Sequence, residues 1–336
     1  MMQISPETQL FIREHSSDDV RVLALQAKKY PDIDMPTAIT QIAGRKVAAE
    51  KIPSWWEIEK IWYPKHLSLE QCSSEITARY KARLLQGDSL TDLTGGFGID
   101  CSFLATGFKS ATYVERQEEL CEIAAHNFPV LNLNHINIKN EDGVTYLQVM
   151  SPVDCLFLDP ARRNEHGGKT VAISDCEPNV AELEELLLQK ANRVMIKLSP
   201  MLDLSLALKE LKQTQEVHIL SVNNECKELL ILLGQTSPAE ISIHCVNLFT
   251  KGTQKEQHFV FTREQEQCSE CTYTDSLETY LYEPNASLLK AGAFRSIAAA
   301  YPVRKLHPNS HLYTSDTFIE NFPGRIFRIV NQCSFN

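Results

Sequence analysis

The order of segments along the chain predicts an α/β fold: a doubly wound, mostly parallel sheet, preceded by a helical domain and followed by a small α+β domain. Three observations carry this expectation. Residues 1–85 place apolar side chains at spacings of three and four; from residue 88 short apolar runs alternate with helical stretches; after Gly234 the strand-like runs become polar and alternating.

Taken in order, the first segment predicts helices over 8–30, 36–49 and 74–85, punctuated by Pro31, Pro36, Pro53 and Pro64. Trp55, Trp56, Trp62 and Tyr63 cluster in the connecting stretch. Aromatics there read as a hinge that packs one domain on the next, in preference to a base-stacking surface. Strands are expected at 89–93, 111–114, 136–139, 154–158, 193–198, 216–222 and 229–233, with helices at 116–128, 180–190 and 204–212. Right-handed crossovers then put helices on both faces of a parallel sheet. The last two strands are separated by only a few residues around Asn223-Asn224-Glu225, so they predict a hairpin with an antiparallel final strand. Beyond it, strands at 240–249 and 257–262 and a helix near 286–299, following Glu283-Pro284-Asn285, describe the small α+β part. The run from Arg325 to Asn336 is strand-like with no visible partner, as in a shortened terminal domain.

Composition narrows the class. The 336 residues are 43% hydrophobic, enough for at least one large core. The longest apolar runs, such as Leu229 to Leu233, are far shorter than the roughly 20 residues of a membrane-spanning helix. The N-terminus has neither a basic run nor an apolar signal core, so a cytoplasmic protein is expected. Ten cysteines are scattered through strand-like and helix-like segments, which reads as reduced thiols. Cys268-Ser-Glu-Cys271 lacks a second ligand pair, so no metal site is expected. The net charge of −10 opposes nucleic-acid binding by bulk electrostatics. It is unevenly spread: residues 1–85 hold twelve basic and eleven acidic residues, 86–235 twelve and twenty-two, 236–336 nine and ten. A polyanionic substrate would have to be held by the flanking segments.

Chemistry concentrates at the ends of the expected strands. The first runs into Asp92-Leu93-Thr94-Gly95-Gly96-Phe97-Gly98, with a helix following at once. Glycines let a backbone approach a ligand closely, and the C-terminal edge of an open α/β sheet is where ligands bind. Gly95, Gly96 and Gly98 do not make G-x-G-x-x-G, and no Gly-Lys-Ser/Thr follows, so dinucleotide and P-loop phosphate motifs are absent. Asp92 suits the amino group of a methionine moiety better than a pyrophosphate. Glu115, with Arg116 beside it, ends the second strand, where a carboxylate can accept both ribose hydroxyl protons. Glu141 and Asp142 follow the third strand, placed for an adenine amino group. Asp159-Pro160 ends the fourth, beside the position of a transferable methyl group. Singly, each acid reads as a solvated strand terminus; together, after a glycine loop, they match S-adenosyl-L-methionine part by part.

These residues closely resemble a class I methyltransferase with a Rossmann-like sheet. The blocks Glu70-Gln-Cys-Ser-Ser-Glu-Ile-Thr-Ala-Arg-Tyr-Lys81, Asp92 to Asp100, Tyr113-Val-Glu-Arg-Gln117, Asp159-Pro-Ala-Arg162 and Tyr282-Glu-Pro-Asn-Ala-Ser287 resemble the bacterial methyltransferases with a THUMP-like domain. The resemblance spans nearly the whole chain. It implies an N-terminal helical domain over 1–85, a methyltransferase domain over 86–235, a ferredoxin-like α+β module over 236–281 and a shortened THUMP-like domain over 282–336. THUMP domains accompany RNA-modifying enzymes, so it also implies an RNA substrate, tRNA or rRNA.

The methylated atom is constrained but left open. Enzymes that methylate an exocyclic base nitrogen often carry Asp/Asn-Pro-Pro and an aromatic at the end of the fourth strand. Here Asp159 and Pro160 match, while Ala161 and Arg162 replace the second proline and the ring. Arg162 can stack on a base or grip a phosphate, or offset acidic neighbours in a solvated loop. Uridine carbon-5 chemistry needs a cysteine after the fifth strand, where Lys197-Leu198-Ser199-Pro200 stands instead. Ribose 2′-O-methylation is the alternative, using Asp159 and Lys197 with Glu225 or Glu228 and Lys81. A factor that binds RNA or cofactor without turnover, and protein or small-molecule methylation, also fit the sequence.

Overall fold

A computed structural model describes residues 4–162, 172–236 and 238–333. Its largest feature is a nine-stranded sheet. In chain order the strands are β1 (Ser89–Asp92), β2 (Ser110–Glu115), β3 (Ile136–Asn140), β4 (Val153–Leu158), β5 (Ala191–Leu198), β6 (Thr214–Val222), β7 (Glu225–Gly234), β8 (Ser242–Leu248) and β9 (Glu256–Phe261). Their order is β9-β8-β6-β7-β5-β4-β1-β2-β3. The α/β class is as expected, and no described helix is long and apolar enough to cross a membrane. The chain divides into two compact units, Met1–Leu158 with Gln189–Arg193 and Asp159–Leu188 with Val194–Asn336.

Among the described residues the first unit opens with six α-helices, α1 (Pro6–Glu14), α2 (Val20–Leu25), α3 (Met35–Lys51), α4 (Pro53–Trp56), α5 (His66–Gln71) and α6 (Glu75–Ala82), and a short 3-10 turn at Ala27–Lys29. The single helix expected over 8–30 is two. Ser16, Ser17, Asp18 and Asp19 favour turns, and the Asp19 side chain caps α2 by accepting from the Arg21 amide at 2.8 Å. Phe11, Leu23, Met35, Ala38 and Ile42 close a small helical core. The remaining helices do not form a core of their own. Ala48, Ile52, Trp55, Ile61, Tyr63, Leu69 and Ala78 share one with Phe97, Ile99, Phe103 and Ile123 of the α/β part. The aromatic cluster is therefore the expected packing hinge: Trp55 lies edge-on to Phe97 at 5.2 Å between ring centres, and Trp62 stacks on His126 at 3.7 Å.

Strands β1 to β4 alternate with α7 (Ile99–Ala105), α8 (Glu118–Val130) and α9 (Gly143–Val149), and β1 pairs in parallel with both β2 and β4. β1, β2 and β3 pair in parallel, which places the turns after them at one edge of the sheet.

The second unit contains α10 (Val180–Lys190) in its larger part, α11 (Leu204–Glu210), the expected β6–β7 hairpin and the strands after it. Asn223 and Asn224 take φ of 49° and 67°, the left-handed conformation a two-residue hairpin turn requires, and β6 and β7 pair antiparallel from Val222 opposite Glu225. The module expected over 236–281 does not stand apart. β8 extends the sheet in parallel with β6, and β9 adds antiparallel to β8. The helix expected near 286–299 is α13 (Ala286–Ala291) and α14 (Phe294–Ala300), preceded by α12 (Arg263–Cys268) and broken at Gly292, whose φ is 76°. A small antiparallel sheet is made by β10 (Tyr280–Pro284), β11 (Tyr313–Ser315), β12 (Gly324–Arg328) and the pair Arg304–Lys305. The run that lacked a visible partner in sequence is β12, paired antiparallel with β10.

Candidate active site

In the first unit the glycine loop is held by its neighbours' backbone and by two acids. Asp92, 1% exposed, accepts from the Thr94 amide at 3.0 Å through Oδ1. The Gly95 amide bonds the Val114 carbonyl at 2.8 Å, and the Gly98 amide closes the turn onto the Gly95 carbonyl at 2.9 Å. Gly96 and Gly98 have φ of 53° and 89°, so both need glycine's freedom. Nothing lies nearer than 3.8 Å to where a Cβ on Gly96 would stand, so the loop presents open backbone there.

Glu115 joins the ends of β1 and β2. One carboxylate oxygen accepts from the Gly96 amide at 2.8 Å and the other from the Gln117 amide at 2.8 Å. A carboxylate has about four acceptor sites, so two remain for a ribose diol. Arg116 beside it is exposed, and Thr94 is half-buried. Asp142 caps α9, its Oδ1 accepting from the Val144 and Thr145 amides at 3.0 Å each. Both capping bonds use that one oxygen, so the cap is compatible with a second contact through Oδ2. Gly143 lies so close to Leu93 that a Cβ would fall 2.1 Å from its carbonyl oxygen, which brings the start of α9 to the end of β1. The half-buried Glu141 bonds through its amide to the Glu115 carbonyl at 3.1 Å. Asp92, Thr94, Gly95, Gly96, Gly98, Glu115, Glu141 and Asp142 thus lie at the ends of β1 and β2 and on the turns that follow β1, β2 and β3.

Sequence reasoning missed an internal ion pair below this loop. Lys81 is fully buried, donates to Ser73 Oγ at 2.7 Å and is ion-paired with Asp100 Oδ1 at 2.9 Å; Ser73 Oγ donates to the other Asp100 oxygen at 2.7 Å. Asp100 sits in the first turn of α7, so this triad anchors α6 to the helix that follows the loop. The signal lay in the motif blocks, since Ser73 lies inside one that Lys81 closes, and Asp100 closes the next. It also places Lys81 on Asp100, which counts against its use in a ribose-methylating set.

In the second unit, Asp159 and Lys197 are ion-paired at 2.5 Å, with side chains 35% and 10% exposed. Pro160 is buried. Ala161–Arg162 forms a short antiparallel ladder with Cys176–Glu177, and the Arg162 side chain lies outside the described residues. Burial raises the Cys226 thiol above its ordinary pKa, the opposite of an activated nucleophile.

The chain is 34% identical to a Porphyromonas gingivalis W83 protein provisionally assigned as a methyltransferase, over 98% of this chain and 84% of that one, with a TM-score of 0.85. This chain belongs to that methyltransferase family. A family model described as a ferredoxin-like domain matches residues 280–323 of this methyltransferase, so the ferredoxin-like part lies where the THUMP-like domain was expected. A type I restriction modification subunit from Vibrio vulnificus YJ016, also a provisional assignment, is 11% identical over 60% of this chain and 56% of its own, with a TM-score of 0.40. A Streptococcus mutans structure, provisionally a methyltransferase and solved with S-adenosylhomocysteine, is 13% identical over 48% and 96%, with a TM-score of 0.34. Among curated protein sequences, none matches the chain significantly.

Proposed function

We propose that this methyltransferase uses S-adenosyl-L-methionine to methylate RNA, tRNA or rRNA, at an exocyclic base nitrogen. The glycine loop fits the cofactor: Gly96 offers open backbone, and Asp92, Glu115, Glu141 and Asp142 supply acceptors for its amino group, ribose hydroxyls and adenine amine. When bound, the cofactor supplies an activated methyl group. Arg116 and Thr94 line the same turns.

The observation that carries the acceptor chemistry is the Asp159–Lys197 pair, followed directly by the buried Pro160. A carboxylate held by an ammonium is fixed in direction, and it can accept a hydrogen bond from a base amino group without removing its proton in advance. An ammonium is a donor only, so Lys197 engaged on Asp159 acts as a positioning residue. The methylated amino nitrogen gives up its proton after transfer, to Asp159 or to water, whereas a ribose hydroxyl must lose its proton as the new C–O bond forms. A carboxylate tied to an ammonium is a weak base for that, which favours the nitrogen reading. Arg162 follows Asp159-Pro160 in sequence as a candidate contact to base or phosphate.

Mass spectrometry of nucleosides from tRNA and rRNA, with and without the gene, tests this. A missing N-methylated base supports it. A missing 2′-O-methylated nucleoside would instead assign ribose chemistry to the same pair. No lost modification, with retained cofactor binding, would point to a non-catalytic factor or to a protein or small-molecule acceptor.

A further inference from the structure

The β6, β8 and β9 strands carry a second group of functional side chains, all within one unit and absorbed by none of the chemistry above. Glu216 and His218 are two apart on β6 and so point to the same face of the sheet. His244 of β8 registers directly with His218. His258 of β9 is the register partner of Val246, two residues beyond His244, which puts it diagonally across on that face. The distances are short: His218 Nε2 to Glu216 Oε2 is 3.2 Å, and His244 Nδ1 to His258 Nε2 is 3.1 Å. Ligand atoms of Glu216, His218 and His244 all lie within 4.8 Å of one another.

From this geometry we propose that Glu216, His218 and His244 form a binding site for a divalent late transition metal of the zinc type. Two ligands at 2.0–2.1 Å on a tetrahedral ion are about 3.3 Å apart, close to the spacing already present between His218 and Glu216. Two imidazoles and one carboxylate are a donor set that such ions take with a position left open. His244 donating Nδ1–H to His258 leaves its Nε2 lone pair for the metal, the outer-partner arrangement that ligating histidines commonly have. His218 is 2% exposed while His258 is exposed, so the group runs from the interior to an open side. The rings of His218 and His244 stack at 4.2 Å and 14° between planes. Because an imidazole lone pair lies in its ring plane, metal capture turns one ring out of that stack.

The test is zinc binding by the full chain after chelation, followed by calorimetry and by X-ray absorption of the zinc-loaded protein. One equivalent of zinc is expected, with a nitrogen and oxygen first shell showing imidazole scattering. His244→Ala and His218→Ala should each weaken binding on the order of 100-fold, and Glu216→Gln, the least disruptive change, should weaken it at least about tenfold. Cys268→Ser with Cys271→Ser should leave it unchanged. No stoichiometric zinc, sulfur in the first shell, or binding lost in the cysteine variant but kept in Glu216→Gln would overturn the proposal. The absorption spectrum needs no variant, so a histidine variant that fails to fold leaves the result decisive.

Discussion

Glu115 holds the glycine loop and, in the proposed function, the cofactor's ribose. Its two oxygens each take a backbone amide, Gly96 and Gln117, and hydrogen bonds to a charged group contribute about 1.5–3 kcal/mol each. Glu115→Ala should therefore loosen the glycine loop and weaken S-adenosylhomocysteine binding by at least about tenfold by calorimetry. Equal affinity in the variant and the parent would remove Glu115 from the cofactor site. Asp159 is paired with Lys197, and in the proposed reaction it orients the acceptor. Asp159→Ala removes both acceptor oxygens, and should cut turnover about 100-fold with cofactor affinity changed only a few-fold. That split is the mark of an interaction made in the transition state. Full turnover in this variant would exclude Asp159 from orienting the acceptor.

At the scale of elements, the β6–β7 hairpin tests how local sequence builds architecture. Asn224 supplies a left-handed φ, and its Oδ1 also accepts from the Ala286 amide at 2.8 Å, at the start of α13. Asn285 caps that same helix and donates from Nδ2 to Gln257 Oε1 at 3.1 Å. Asn224→Gly keeps the backbone conformation and loses only the acceptor, whereas Asn224→Ala adds about 1–2 kcal/mol of left-handed strain. The alanine variant should thus unfold at the lower temperature of the two by calorimetry; the reverse order would mean the turn conformation contributes little. The hairpin and its asparagines were legible in sequence because a left-handed turn has few suitable residues. So were the strand ends Asp92 and Glu115, because acids interrupt apolar runs, and Asp142 two residues beyond the end of β3. Sheet membership of β8 and β9 was not, since alternating polarity is the same for an edge strand of any sheet. The partner of β12 lies some forty residues earlier in β10, a distance at which local pattern carries no information. The Lys81–Asp100 pair was hidden for the same reason: a buried lysine looks like a surface one until its partner is known.

Across the whole molecule, the N-terminal helices cannot be treated as a detachable arm, because Trp55 and Tyr63 share a buried core with Phe97 of the glycine loop. Any account of substrate binding must therefore be tested on the full chain. Residues 86–235 carry twelve basic and twenty-two acidic residues and on average repel phosphate, whereas the flanks are nearly neutral. RNA affinity is thus expected to reside in the flanks, and the fold narrows which cations are available. Lys46 donates to the Ser17 and Asp18 carbonyls, Lys51 to those of Leu69 and Glu70, and Arg295 to that of Gln267. Arg45 lies over the Trp56 ring, while Arg304 pairs with Glu278 and Arg325 with Glu283. Lys305 is buried, with its ammonium on the Pro308 carbonyl. Lys28, Lys29 and Arg328 are exposed, and they are the contacts we expect phosphate to use. Reversing all three to glutamate should weaken RNA binding while leaving S-adenosylhomocysteine affinity intact. Each lost contact should flatten the slope of log affinity against log salt by about 0.7–0.9. Lys305→Glu should instead lower thermal stability, because it places an unpaired charge in the interior. If the triple reversal left both RNA affinity and salt slope unchanged, the flanks would not hold the substrate, and an acidic catalytic segment would have to bind an uncharged or cationic one.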